Sequence, residues 1–97
     1  MVSLGVIRCT FGMEKLHPNL VKIGKRIRAI RKAKGFSQEE FAAAAQLGRS
    51  YAGWVERGEQ NISMQSLIQI ALTLKVEVGE LFPPLRELKA PYRKRLE

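Results

Sequence analysis

The chain is poor in the residues from which reactive sites are built. Of its 97 residues one is cysteine, Cys9, and one is histidine, His17. A lone cysteine excludes an intrachain disulfide, and one Cys with one His cannot supply the four ligands of a structural zinc site. No apolar run approaches the roughly 18 consecutive residues of a membrane span. The opening Met1-Val2-Ser3-Leu4-Gly5-Val6-Ile7 has neither the basic start nor the apolar length of a secretory signal. A cytoplasmic protein is expected, with no metal, cofactor, membrane or small-molecule ligand. Acidic residues are scarce as well: 9 stand against 17 lysines and arginines, for a formal charge of +8 and a pI near 10.2. Such a surplus favours a polyanionic partner. At 11.0 kDa there is room for one small domain with tails.

The positive charge is unevenly placed. Residues 1–18 carry +1, whereas residues 19–35 hold seven basic side chains (Lys22, Lys25, Arg26, Arg28, Arg31, Lys32, Lys34) and no acidic one. Residues 36–82 carry three basic and six acidic residues, hence −3, and residues 83–97 carry +3. If the middle block touches nucleic acid, it does so through a few placed residues, with the flanks supplying the field.

Residues 1–12 lack helical period and are interrupted by Gly5 and Gly12, which predicts a loose arm upstream of a natural-looking start at Met13. From Leu20 the spacing of Leu20, Ile23, Ile27 and Ile30 predicts an amphipathic helix that ends at Gly35. Ser37-Gln38-Glu39-Glu40 reads as a capping box opening a second helix, which carries Phe41 and the run Ala42 to Ala45. A break at Gln46-Leu47-Gly48 leads into a third helix, Arg49 to Glu56, ended by Arg57-Gly58. Asn61-Ile62-Ser63 caps a fourth from Met64 to about Lys75, and a short turn near Gly79–Phe82 precedes Pro83-Pro84. No strand signal and no repeat is present. Five short helices in an all-α domain are expected.

Two short helices joined by a tight turn, the first packed with alanine, suggest a DNA-binding helix-turn-helix. The second helix of the pair divides its faces accordingly. At about 100° per residue, Ala52 and Val55 fall on one arc, and Arg49, Ser50, Gly53 and Trp54 on the opposite one. Arginine can bond guanine O6 and N7 in bidentate fashion, serine a base edge or phosphate, and an apolar group can cover a thymine methyl. Gly53 costs about 1 kcal/mol of helix propensity relative to Ala, which a close backbone approach would explain.

Ser37-Gln38-Glu39-Glu40-Phe41-Ala42, Leu47-Gly48-Arg49-Ser50-Tyr51, Val55-Glu56-Arg57-Gly58 and Asn61-Ile62-Ser63 together resemble the Cro/CI (XRE) helix-turn-helix family over roughly residues 20–82. The Arg-Ser-Tyr and Glu-Arg-Gly-x-x-Asn-Ile-Ser pieces are most similar to the controller proteins of restriction–modification systems, small homodimers that bind their own promoters. The resemblance implies a compact five-helix, lambda-repressor-like domain at 19–82, with a flexible arm at 1–18 and a basic tail at 83–97. One departure stands out: Gln46 occupies the turn position where the family usually has glycine, so a non-glycine residue must adopt a left-handed conformation there.

The resemblance also distributes roles. Gln38, at the start of the second helix, becomes a phosphate or base contact, and Arg57 a phosphate contact. Arg49 is the first choice for base reading, with Ser50 and Trp54 beside it. Tyr51, at the edge of the arc, either packs inward or offers its hydroxyl to a phosphate; Asn61 is either a turn residue or a backbone contact. Arg31 and Glu56 are expected to form a structural ion pair between the first and third helices. No nucleophile or convergent polar site accompanies them, so no enzyme is expected. In the fourth helix Leu67, Ile70, Ala71 and Leu74 form a core stripe, which leaves Ile68 and Leu72 off it. With Leu81 and Phe82 they are expected to form a homodimer interface.

The expected function is that of a sequence-specific transcriptional regulator bound to double-stranded DNA at a palindromic operator as a homodimer, in the bacterial cytoplasm and at the nucleoid when bound. A second class is an antitoxin-like interaction module that also binds its own promoter, with Leu85, Leu88, Tyr92 and Leu96 as apolar anchors in the tail, although Pro91 interrupts that face. A general basic nucleic-acid binder is disfavoured by the acidic balance of residues 36–82.

Overall fold

The structure is a computed structural model that describes residues 17–89. The loose arm expected at 1–12, Cys9, and Pro91, Tyr92 and Leu96 of the tail lie outside the described residues. Four α-helices, α1 (Pro18–Ala33), α2 (Gln38–Ala44), α3 (Arg49–Arg57) and α4 (Met64–Leu74), are followed by two 3₁₀ turns, Val78–Leu81 and Leu85–Glu87. No strand occurs among the described residues.

Three of the four helices begin at a side-chain cap, whereas α3 starts after Gly48 without one. Pro18, which lacks an amide donor, takes the first turn of α1, and His17 Nδ1 accepts from the Asn19 amide at 3.0 Å. The capping box of α2 closes reciprocally: the Glu40 amide donates to Ser37 Oγ at 3.0 Å and the Ser37 amide to Glu40 Oε1 at 2.9 Å. Ser63 caps α4 through the Ser66 amide at 3.1 Å. The chain leaves α2 through Gln46 at φ 60° and α4 through Lys75 at φ 59°, both left-handed without being glycine. A conformation of that kind costs roughly 1–2 kcal/mol per residue, offset by the packing on either side.

The core gathers Ile23 and Ile27 of α1, Phe41 and Ala42 of α2, Ala52 and Val55 of α3, Ile70, Ala71 and Leu74 of α4, and Leu81. Burying one such large aliphatic or aromatic side chain stabilises by about 1.5–3 kcal/mol. Two glycines let α1 and α3 approach closely. A Cβ at Gly24 would collide with the Val55 carbonyl oxygen and lie 2.6 Å from that of Glu56; a Cβ at Gly58 would lie 2.6 Å from Val21 Cα. Gly58 also has φ 78°, which turns the chain out of α3.

The C-terminal part of the domain departs from the sequence expectation. Leu81 is 0% exposed and belongs to the core, so it is not a dimer-interface residue as expected: the 3₁₀ turn points it inward between α1 and α4. Phe82 is partly buried against the same cluster. The segment after Pro83-Pro84 lies back on α1. The Asn19 side-chain amide donates to the Lys89 carbonyl at 2.7 Å and accepts from the Lys89 amide at 2.8 Å, completing a two-bond clasp. Lys22 Nζ donates to the Glu87 carbonyl, and Arg26 Nε to the Glu80 carbonyl at 2.8 Å. Of the six cations in α1, Lys22 therefore tethers this segment and Arg26 the 3₁₀ turn before the prolines.

Candidate nucleic-acid interface

α3 is fixed to the domain by apolar packing inward and by an ion pair along its flank. Arg31 donates to Glu56 through both edges of its fork, Nε to Oε2 at 2.7 Å and Nη2 to Oε1 at 3.1 Å, and through Nη1 to the Phe36 carbonyl at 2.9 Å. Glu56 Oε1 also accepts from Gln38 Nε2 at 3.1 Å. Both charged side chains are buried. A buried pair satisfied on every side acts chiefly as a geometric constraint, because losing one partner leaves the other charge uncompensated. It joins α1, α2 and α3 at one point.

On the outer side, Arg49 and Ser50 stand exposed at the start of α3, and Asn61 is exposed in the loop that follows it. Arg49 Nη1 lies 3.7 Å from Glu39 Oε2, an ion pair between two well-exposed side chains. Pairs of this kind contribute about 0–1 kcal/mol, so Arg49 is free to exchange Glu39 for another acceptor. Trp54 is half-buried. Tyr51 is partly buried against the core, and its hydroxyl lies 3.4 Å from Ser66 Oγ; of the two readings of this residue, the packed one describes its position.

Gln38, Glu56, Arg31 and Arg57 come together with Arg28 around a cleft of about 210 Å³. Gly53 lies beside it: a Cβ there would stand 3.1 Å from Arg57 Nη1 and 3.5 Å from Gln38 Oε1. The close neighbour of this glycine is thus the protein's own guanidinium. Three participants were not singled out from the sequence. Arg28 was counted only as part of the basic run, although it precedes Arg31 by three residues, a spacing that puts both on one flank of a helix. Glu39 figures in the sequence only within the opening motif of the second helix, and Glu59 only in the acidic balance.

The family model described as Helix-turn-helix (HTH_3) matches residues 27–81, more than half of the chain. The chain belongs to this helix-turn-helix family, of the XRE type, whose members include transcriptional regulators and restriction–modification controller proteins. It is 43% identical over 61 residues to the HTH-type transcriptional regulator YazB of Bacillus subtilis, covering 63% of this chain and 88% of that protein. It superposes on the crystal structure of the restriction–modification controller protein C.AhdI from Aeromonas hydrophila with a TM-score of 0.64 and 49% identity, over 65% of this chain and 96% of that one. A structure of SinR, a master regulator for biofilm formation, in complex with DNA matches with a TM-score of 0.59 and 42% identity, over 61% of this chain and 95% of that one. These relatives are transcription regulators, not enzymes. Among the described residues no helix is long and apolar enough to cross a membrane.

Proposed function

We propose that the protein is a sequence-specific transcriptional regulator that binds a palindromic operator as a homodimer and catalyses no reaction. The observation that carries this reading is the placement of α3. Its apolar face is buried and its flank is locked by Arg31–Glu56, while Arg49 and Ser50 are exposed at its start, Gln38 and Arg57 line a cleft at its flank, and Asn61 is exposed in the loop that follows. Arg49 and Ser50 then read base edges, with Trp54 covering an apolar base surface beside them, and Gln38, Arg57 and Asn61 hold the backbone.

The second half of the proposal rests on α4. Met64 is 76%, Ile68 43% and Leu72 71% exposed. Residues four apart lie on one helix face, so the three make a single apolar stripe. Pairing two copies through Ile68 and Leu72, with Phe82 at the edge, would place two recognition helices about one DNA turn, roughly 34 Å, apart. Binding of the purified protein to DNA upstream of its own gene, against scrambled DNA in excess competitor, tests the reading. Selective retention of the upstream fragment is expected; equal loss of both fragments would refute sequence recognition. The promoter-binding antitoxin-like class keeps one supporting observation, the 84% exposure of Leu85 at the start of the second 3₁₀ turn.

A further inference from the structure

Arg57 is the last residue of α3, and its surroundings are more organised than those of an ordinary helix-terminal cation. Its Nε donates to Glu59 Oε1 at 3.1 Å. The Glu59 side chain is only 12% exposed, whereas that of Arg57 is 54% exposed. The position of Glu59 follows from the helix ending. Gly58, left-handed, donates its amide to the Val55 carbonyl at 3.1 Å, and the Glu59 amide donates to the Trp54 carbonyl at 2.8 Å. This pair of bonds is a Schellman motif, which fixes the residue after the glycine against the last turn. One turn back, Gly53 leaves room for the guanidinium, whose Nη1 would lie 3.1 Å and Nη2 3.7 Å from a Cβ at that position. The carboxylate thus occupies the Nε edge of the fork, and the two terminal nitrogens lie over Gly53, in the cleft shared with Gln38 and Arg28.

We infer that Glu59 and Gly53 are positioning residues that hold the Arg57 guanidinium, before DNA arrives, as part of a seat for one backbone phosphate. The inference rests on the DNA-binding reading above and deepens it. A planar guanidinium offers a fork suited to phosphate oxygens, and orienting it in advance removes the entropy of ordering a long side chain on binding. Gln38 is also restrained, because its Nε2 is held by Glu56. Its Oε1 faces the Gly53 position, so the same buried ion pair that fixes α3 steadies a second member of the cleft.

The inference predicts an effect whose sign is opposite to simple charge repulsion. A carboxylate near DNA repels phosphate, so removing it should tighten binding if Glu59 does nothing else. As a positioning residue it has the opposite effect: Glu59→Ala weakens binding to a random duplex and to the upstream fragment alike. The loss expected is about 2- to 10-fold, the cost of ordering one free arginine side chain. Glu59→Gln, which keeps an oxygen acceptor for Nε, restores most of the affinity. Arg57→Ala lowers the magnitude of the log–log salt slope by about 0.9, and adding Glu59→Ala to it causes no further loss. Circular dichroism confirms that each variant is folded, and the Arg57 Nε–H signal of the free protein, protected from solvent exchange in the native chain and in Glu59→Gln, loses protection in Glu59→Ala. Equal or tighter binding by Glu59→Ala overturns the inference, as does a loss that persists without Arg57 or an Nε–H signal that exchanges equally fast in all variants. Failure of the native chain to bind any duplex would instead overturn the DNA-binding reading itself.

Discussion

α3 and α4 are helices of 9 and 11 residues that each bury one face in the same core, yet their outward faces are built on opposite principles. The outer side of α3 carries Arg49, Ser50 and Arg57, and its two arginines lie against carboxylates of their own chain. The outer side of α4 carries Met64, Ile68 and Leu72. A polar, charge-bearing surface exchanges one set of hydrogen bonds for another when it meets a polyanion. An aliphatic stripe gains only by leaving water. One small fold thus presents two chemically different surfaces, and the joint between α1, α2 and α3 ties the first to the core that supports the second.

That joint is where the comparison breaks most severely. Glu56→Ala leaves the Arg31 guanidinium buried without its carboxylate and releases Gln38, and should destabilise the domain by about 3–5 kcal/mol in urea unfolding. Loss of less than about 1 kcal/mol would mean that the pair exchanges freely with water. At the second surface, Ile68→Glu is expected to give a folded monomer with much reduced operator affinity in analytical ultracentrifugation and binding assays. A dimer that survives this change places the interface elsewhere than α4. The smallest effect is expected on the far side of α1. Lys22→Ala removes the donor to the Glu87 carbonyl and should cost about 0.5–1.5 kcal/mol of stability while leaving the salt dependence of DNA binding unchanged. A slope reduced by about 0.9 would instead make Lys22 a phosphate contact.

Much of this arrangement is readable from residues close together in the chain. The Ser37–Glu40 box, the glycine stop at Gly58, the apolar stripe of α1 and the inward pair Ala52 and Val55 are local patterns whose physical consequences need no tertiary information. The left-handed Gln46 follows from the resemblance, which puts a glycine at that position of the turn. The Arg31–Glu56 contact was expected from resemblance, since 25 residues separate the partners and periodicity alone cannot join them. What escaped reading depends on contacts across the fold. A 3₁₀ turn of 4 residues has too little period to say which side faces inward, so the sequence pattern leaves Leu81 with the exposed residues while the fold buries it. The Asn19–Lys89 clasp links residues 70 apart through backbone groups that carry no sequence signature. Glu59 resembled any surface acid until the helix ending placed it under Arg57.

The account stands most directly on Arg49. Its guanidinium is exposed at the head of α3, and its Glu39 contact at 3.7 Å is weak enough to be exchanged for a guanine edge. The decisive measurement is a competition titration of the native chain and Arg49→Ala on the upstream operator fragment and on random duplex at one salt concentration. The account predicts that Arg49→Ala loses about 1–3 kcal/mol on the operator and almost nothing on random DNA, so that the ratio between the two collapses. Equal losses on both DNAs would contradict it and make Arg49 a backbone contact.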